Sequence, residues 1–439
     1  MTVVAAVDFG ATSIRVGRVD LAADPITVDI VHRHHHKPVA HPDGSLRWDW
    51  RRLLAETERG LELALEQGPL ASIGVDTWGV DYGLVAADGT LLGDPHCYRS
   101  SRTEAHREVV DRIGARRLYE VTGLQLQAFN TIFQVAAHDR DELAGAAHLL
   151  LLPDLVVHHL TGAVASERTT AGTSGLLDLR TRDWAPELLD ACDARPELLP
   201  EVVEPGTVAG VWRGIPVVRV GGHDTASAVV GMGAAADAAT AFVATGTWLL
   251  VGREQPEADT SEAARQDNFT NEQGVDGGIR FLKNLAGFWL LEECRRAWGE
   301  PEVAPLLAAA AAVEGDVDTF DVTDPRFLAP ADMEAEVRDA AGLPASTERA
   351  VVARAIVASL AATTADVVGR LGGIREIAMF GGGAGVELLR TEIAARTGLP
   401  VSVGPTEAAA LGNALVQGVA LGHFTDLAAA RAGLATARA

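Results

Sequence analysis

The segment AAVDFGATSIRVG (residues 5–17) and the segment AFVATGTWLLVG (residues 241–252) follow one plan. In each, an apolar strand runs into a turn built from Gly with Thr or Asp, and a second strand closes on Val-Gly. The first copy predicts strands over residues 3–7 and 13–21 around a polar turn at 8–12, with a third strand over 26–32. One such hairpin opens each half of the chain. The pair therefore reads as an internal duplication, unless two unrelated hairpins of this length merely look alike.

Outward from these hairpins the chain alternates helix and strand. Leu53, Leu54, Leu61 and Leu65 among Arg and Glu make residues 51–67 an amphipathic helix leading into a strand over 71–76. A β-branched strand over 215–220 ends in Gly221-Gly-His-Asp-Thr225, and the small apolar residues 226–233 suit a helix. Toward the C-terminus the pattern gives helix 350–371, strand 374–380, a turn Gly381-Gly-Gly-Ala-Gly385, helix 386–396, strand 400–403 and helix 407–418. Residues 149–152 are an apolar run stopped by Pro153, and 178–216, with Pro186, Pro196, Pro200 and Pro205, read as an irregular excursion. This alternation predicts an α/β protein of layered sheets and helices. A length of 439 residues predicts two or three domains, with the boundary between 1–233 and 234–439.

Composition removes several functions. A net charge of −23 repels polyanions, so nucleic acid is not an expected partner. The 48% apolar fraction lies far from the disordered regime. No run of 18 uninterrupted apolar residues occurs, which predicts no membrane span. The N-terminus has no basic leader or cleavage pattern, so the expected location is the cytoplasm. Cys97, Cys192 and Cys294 are odd in number and far apart, which fits neither a disulfide framework nor a CxxC site. Lys37 and Lys283 are the only lysines and neither follows a GxxxxG, so nucleotide chemistry here needs a cradle other than a P-loop.

Four features could carry chemistry. The two polar turns, residues 8–13 and Thr245-Gly-Thr247, offer backbone donors, hydroxyls and a carboxylate able to wrap polyphosphate, with Asp8 placed for Mg²⁺. The turn at 381–385 is GGGAG, not GxGxxG; it suits a nucleotide lying against backbone, or simply packs a helix on a strand. Asp224, between strand and helix, is either a general base for an attacking hydroxyl or an ordinary N-cap. Trp78, at a strand end beside Asp76 and Asp81, stacks on a sugar or belongs to the core. The histidines at 32, 34, 35, 36 and 41 lack an acidic or Cys partner at ligand spacing and read as a solvated cluster.

In order, Val7-Asp-Phe-Gly-Ala-Thr-Ser13, Asp76-Thr-Trp-Gly-Val-Asp81, Tyr98-Arg-Ser-Ser-Arg102, His223-Asp-Thr-Ala-Ser-Ala-Val229, Thr245-Gly-Thr-Trp248, Asn268-Phe-Thr-Asn271, Phe281-Leu-Lys-Asn284 and Gly381-Gly-Gly383 resemble the FGGY carbohydrate kinases. The resemblance runs over nearly the whole chain. It implies an actin-like, ribonuclease H-like fold of two related domains, 1–233 holding sugar and 234–439 holding nucleotide. Within the family the match is to members acting on L-rhamnulose, which implies ATP-dependent phosphorylation of its 1-hydroxyl in rhamnose breakdown.

Carried over motif by motif, Asp224 is the implied general base, with His223, Thr225, Gly79, Trp78 and Asn284 on the sugar. Ala11, Thr12, Ser13, Ile14 and Arg15 match the first phosphate loop, Thr247 the second, Gly382 the adenosine-side turn, and Asp8 the Mg²⁺-linked carboxylate. Glu292 stands near the nucleotide where many relatives have glutamine, and Ile14 where they have glycine. Gly222 replaces a common serine, and Ala384-Gly385 replaces Gln-Asn after the glycine turn. The chain ends soon after residue 420, which would leave out a terminal helix. A kinase for another ketose or an autoinducer-2-like diol, or a sugar sensor that has lost turnover, are the alternatives.

Overall fold

The computed structural model of the chain describes residues 2–103, 106–233, 237–300, 302–328 and 330–435. The chain divides into two compact units that are not consecutive in sequence. The first comprises Met1–Gly233, Gln255–Phe281 and Glu407–Ala439, the second Ala234–Glu254 and Leu282–Thr406.

In the first unit, strands β1 (Val3–Gly10), β2 (Ser13–Asp20) and β3 (Val28–His35) form an antiparallel meander. Gly10 pairs with Ser13 across the turn, so Ala11 and Thr12 form its tip. The amphipathic helix α1 (Trp50–Glu66) starts on Asp49, whose side chain accepts from the Arg52 amide, and buries Leu53 and Leu61. It is followed by β4 (Ile73–Thr77), which pairs parallel with β1. The edge strand β5 (Val208–Trp212) and β6 (Ile215–His223) complete a sheet of order β5-β6-β4-β1-β2-β3. Helix α2 (Asp224–Gly231) follows β6 directly.

Between β4 and β5 the chain is less irregular than its prolines suggest. His148–Leu151 is a strand, and Pro153, instead of ending structure, sits in the first turn of the helix Leu152–Thr161, where its missing N–H is no loss. Leu188, Leu189, Leu198 and Leu199 join Tyr82, Phe133 and Leu149 in a core of their own.

The second unit repeats the plan. Strands β7 (Thr240–Thr245) and β8 (Trp248–Gln255) are an antiparallel hairpin, and β9 (Ile279–Ala286), whose first three residues are counted with the first unit, lies beside β8. Helix α3 (Arg349–Leu371) leads to β10 (Glu376–Phe380), parallel to β7, and α4 (Glu387–Thr397) leads to β11 (Val401–Val403), parallel to β10. Five strands in the order β9-β8-β7-β10-β11 match β3-β2-β1-β4-β6, while the sixth strand of each sheet, Thr270–Gln273 beside β9 and β5 beside β6, has no counterpart in the other. The two hairpins are therefore corresponding parts of a duplicated α/β core. Helix α3 is long and apolar enough by length and composition to cross a bilayer, which a search for uninterrupted apolar runs misses. With 67% of its apolar window buried it serves as a core helix.

The chain then returns to the first unit as α5 (Ala408–Ala420), followed by α6 (Leu427–Ala435). Leu411, Leu415, Ala430 and Leu434 close the apolar layer of Val4, Val218 and Val230. Two glycines allow α5 and α2 to cross at backbone distance. A Cβ at Gly412 would stand 1.7 Å from the Ser227 carbonyl oxygen, and one at Gly231 would stand 2.1 Å from that of Ala408.

Candidate active site

In the first unit, β-sheet register gathers the charges. Asp8 on β1 lies directly opposite Arg15 on β2 and Asp76 on β4, so the three side chains share one face. Two adjacent buried carboxylates repel, and the surroundings offset this. Arg15 Nη2 lies 3.0 Å from Asp8 Oδ2, and Asn413 Nδ2 of α5 donates to Asp76 Oδ2 at 2.6 Å. Arg15 is held in turn by Glu407 at 2.9 Å, which also pairs with Arg33 at 2.9 Å. Burial pushes Asp8 up to about 6 against the pull of Arg15, with Asp224 and Glu407 adding to the rise. Burial, then the charge of Asp8, lift Asp76 well above the usual carboxylate range.

Asp8 is 1% exposed, and beyond its ion pair with Arg15 neither carboxylate oxygen accepts a well-formed hydrogen bond. A buried carboxylate with unused lone pairs suits a hard divalent cation. Mg²⁺ needs only one or two carboxylates besides phosphate and water, so the residues present fit it. Among the described residues no cluster of three or more His, Cys, Asp or Glu forms a closed metal site, the histidines around His32 included. One of these histidines supports the turn: His36 donates through Nε2 to the Gly10 carbonyl at 3.1 Å, and its amide donates to the Thr12 carbonyl at 3.0 Å. Burial lowers His36 to about 4, which keeps it neutral. Ile14 is fully buried in β2 opposite Phe9, a side chain of the core.

Asp224 reaches the same group from β6. The register of β6 against β4 slips between Arg219 and His223, a bulge over residues 220–222 that re-aims the strand end. Gly222 is required there: a Cβ would lie 2.5 Å from Thr170 Oγ1 and 2.8 Å from Glu167 Oε2, which fill the space a serine would use. Helix α2 takes His223, not Asp224, as its N-cap residue, and the His223 side chain makes no capping bond. Asp224 sits in the first turn with 26% of its side chain exposed and accepts from Thr225 Oγ1 at 3.1 Å on Oδ1. Burial raises its pKa, opposed by His223 and Thr225. A carboxyl raised in this way is better matched to accepting a proton near neutral pH.

Trp78 and Gly79 follow β4. Trp78 is 6% exposed, packs 4.5 Å from the Trp48 ring and donates to Asp81 Oδ2 at 3.0 Å. Most of its surface is therefore core. Gly79 lies against Thr173, where a Cβ would come within 2.8 Å of the hydroxyl. Val80, β-branched yet with φ of 70°, is held in this strained form by Thr131 and Gln134, which donate to its carbonyl at 2.7 and 3.1 Å.

In the second unit a different group assembles. Thr247 lies in the β7–β8 turn, and its carbonyl accepts from the amides of Gly287 and Trp289 at 3.2 Å. Gly383 donates to the Thr245 carbonyl at 3.4 Å, which brings the glycine turn onto the hairpin. A Cβ at Gly381 would lie 2.5 Å from that oxygen and one at Gly383 would lie 2.4 Å from Phe288, whereas Gly382 faces open space. Asn284 lies on β9. Glu292 lies in the helix Trp289–Ala297, where Arg295 and Arg296 pair with it at 2.7 and 3.1 Å and hold its carboxyl below the usual range. Its extra negative charge is thus balanced locally.

The sequence patterns did not indicate Glu407, Asn413, Glu272 or Arg280. The last two flank residues that were legible, Asn271 and Phe281. Only Arg280 left a local signal, a charge inside the apolar strand stretch Ile279-Arg-Phe-Leu282.

Residues 3–231 match the N-terminal domain, and residues 241–421 the C-terminal domain, of the FGGY family of carbohydrate kinases. The chain is 37% identical over 457 residues to a rhamnulokinase of Enterococcus faecalis, covering 97% of this chain and 91% of that one. It is 35% identical over 449 residues to a rhamnulokinase of Bacteroides thetaiotaomicron, covering 97% and 92%. Its fold matches a ligand-bound xylulose kinase from Lactobacillus acidophilus, with TM-score 0.81 at 16% identity over 98% of this chain and 91% of that one. It likewise matches a glycerol kinase of Plasmodium falciparum with ADP, with TM-score 0.77 at 14% identity over 99% and 92%. The chain belongs to the FGGY family of carbohydrate kinases. It is an ATP-dependent sugar kinase.

Proposed function

We propose that the protein phosphorylates the 1-hydroxyl of L-rhamnulose, with Asp224 as general base. The observation that carries the substrate is the 37% identity to a rhamnulokinase across 97% of the chain. Asp224 takes the hydroxyl proton as the sugar oxygen forms its bond to the γ-phosphorus and the bond to ADP breaks. His223, Thr225, Trp78, Gly79 and Asn284 are assigned to the sugar. The turn residues Ala11, Thr12, Ser13, Ile14 and Arg15 are assigned to phosphate, together with Thr247, and Gly382 and Glu292 to the nucleotide side. Catalysis of this kind works by positioning and by charge stabilisation.

Asp8 is assigned to Mg²⁺, which when bound neutralises charge on the transferring phosphate. Asp8→Asn keeps the shape of this position and removes its charge. The Mg²⁺ concentration giving half-maximal turnover is then expected to rise by about 10-fold or more. An unchanged Mg²⁺ titration would remove Asp8 from that role.

The substrate is tested by coupled ADP release with Mg-ATP over L-rhamnulose, L-fuculose, L-ribulose, D-xylulose and the autoinducer-2 precursor. The expected result is a kcat/KM for L-rhamnulose at least ~10-fold above the rest, since a site that hydrogen-bonds hydroxyls rejects analogues that misplace them. Preference for another sugar would keep the kinase and move its specificity. Binding without ADP release on every sugar would make the protein a sensor, a reading the balanced charge of Glu292 does not favour.

A further inference from the structure

His223 is gripped from two sides. Its amide donates to Thr169 Oγ1 at 3.3 Å, while the Gly222 amide donates to Glu167 Oε2 at 2.9 Å, which fixes the backbone at the end of β6. The ring is approached from the opposite direction by Arg280 at the start of β9, whose Nη2 lies 3.1 Å from His223 Nδ1. Arg280 is 1% exposed, pairs with Glu272 at 3.0 Å and donates to the Gln273 carbonyl at 3.2 Å. Gln273 is in turn held by Arg168, which donates to its side-chain oxygen at 2.9 Å. All of these residues lie within the first unit.

A guanidinium carries only donors and keeps its proton in proteins. His223 Nδ1 meets a donor in Arg280 Nη2 at 3.1 Å and a carboxylate oxygen of Glu272 at 3.4 Å, and the shorter contact makes it an acceptor and places the imidazole proton on Nε2. That nitrogen lies 3.5 Å from Asp224 Oδ1, the same oxygen that accepts from Thr225. The opposite tautomer would gain only the longer contact to Glu272 at 3.4 Å, while it set an Nδ1–H against the guanidinium at 3.1 Å and turned the Nε2 lone pair toward the Asp224 carboxylate.

We propose that Arg280, anchored by Glu272, fixes the proton of His223 on Nε2 and so aims an N–H at Asp224, making Arg280 and Glu272 positioning residues for the sugar-kinase reaction. The proposal deepens the reading of Asp224 as base. A buried charge pair behind the site acts here through hydrogen-bond polarity, without touching substrate. Glu272 keeps the guanidinium in place and balances its charge, and so belongs to the same device.

The first measurement uses the unaltered protein: ¹⁵N-labelled histidine in the full chain, with two-bond proton–nitrogen correlations and His223 assigned by its loss in His223→Gln. The expected pattern has an unprotonated Nδ1 and a protonated Nε2; a proton on Nδ1 would overturn the proposal. The second uses Arg280→Met with Glu272→Leu, which removes the donor without stranding a charge and leaves no amide beside Nδ1. If the melting temperature is kept, kcat is expected to fall by ~30-fold with the sugar KM within about 3-fold, and the His223 pattern to become mixed. Arg280→Lys, still a donor, is expected to restore the Nε2–H pattern and kcat to within about 5-fold. Wild-type kcat and an unchanged tautomer in the folded double variant would overturn the proposal. The tautomer is read without turnover, so its failure is separate from failure of the base assignment, which Asp224→Asn tests.

Discussion

Asp224→Asn is expected to lower kcat by about 10²-fold or more while calorimetric titration with the sugar gives an affinity within a few-fold of the original. The amide keeps the shape of the carboxylate and its place in the first turn of α2, so the Thr225 contact has an acceptor as before. The substitution removes the capacity to take a proton. It also removes a charge that raises the two buried carboxylates Asp8 and Asp76, so both ionise more readily in the variant. Loss of this repulsion predicts unchanged or slightly higher thermal stability, so inactivity cannot be ascribed to unfolding. Turnover within a few-fold of wild type would reject Asp224 as the base.

The second large effect is on folding. Gly412→Leu places a Cβ within 1.7 Å of the Ser227 carbonyl oxygen, and the obstacle is backbone in a neighbouring helix, which no rotamer change relieves. Ordinary overpacking costs about 1–3 kcal/mol. Here α5 and α2 must separate and open the apolar layer of Val230, Leu411 and Leu415, so the expected loss exceeds ~4 kcal/mol. Denaturant unfolding of the soluble protein, or its recovery only in inclusion bodies, reads this out. A midpoint equal to that of wild type would show that the crossing is looser than the geometry states. The same crossing positions chemistry, since α2 carries Asp224 and α5 carries Asn413, the partner of Asp76.

Local patterns carried much of the fold. The hairpins were legible because strand periodicity and Gly-Thr turns are short-range signals, and helix α1 fell within one residue of its expected bounds. His223 and Asp224 were legible for the same reason, at a strand-to-helix junction. Pro153 misled because a proline in the first turn of a helix looks, in sequence alone, like a stop. Residues 178–216 read as irregular because their leucines are short-spaced and become a core only against residues some fifty positions away. Asn413 and Glu407, and the Gln417 that ties the same helix to β1, were illegible for a stronger reason. They meet Asp76, Arg15 and Ala5 across more than 330 positions, and no local pattern records such a meeting. Arg280 and Glu272 escaped notice because a buried ion pair is a property of three-dimensional neighbours.

Helix α5 also bears on how the chain is born. A ribosome that has released residues 1–233 has made Asp8, Asp76 and Asp224, but neither the helix that covers Val4, Val218 and Val230 nor the amide that meets Asp76. At roughly 5–20 residues per second, the remaining two hundred or so residues take about 10–40 s to synthesise. Throughout that interval an apolar sheet face and a set of mutually repelling carboxylates wait for the segment that carries α5. Completion of the first unit is thereby tied to translation through α5, and termination before it leaves a product that displays its unfinished face to chaperones and proteases.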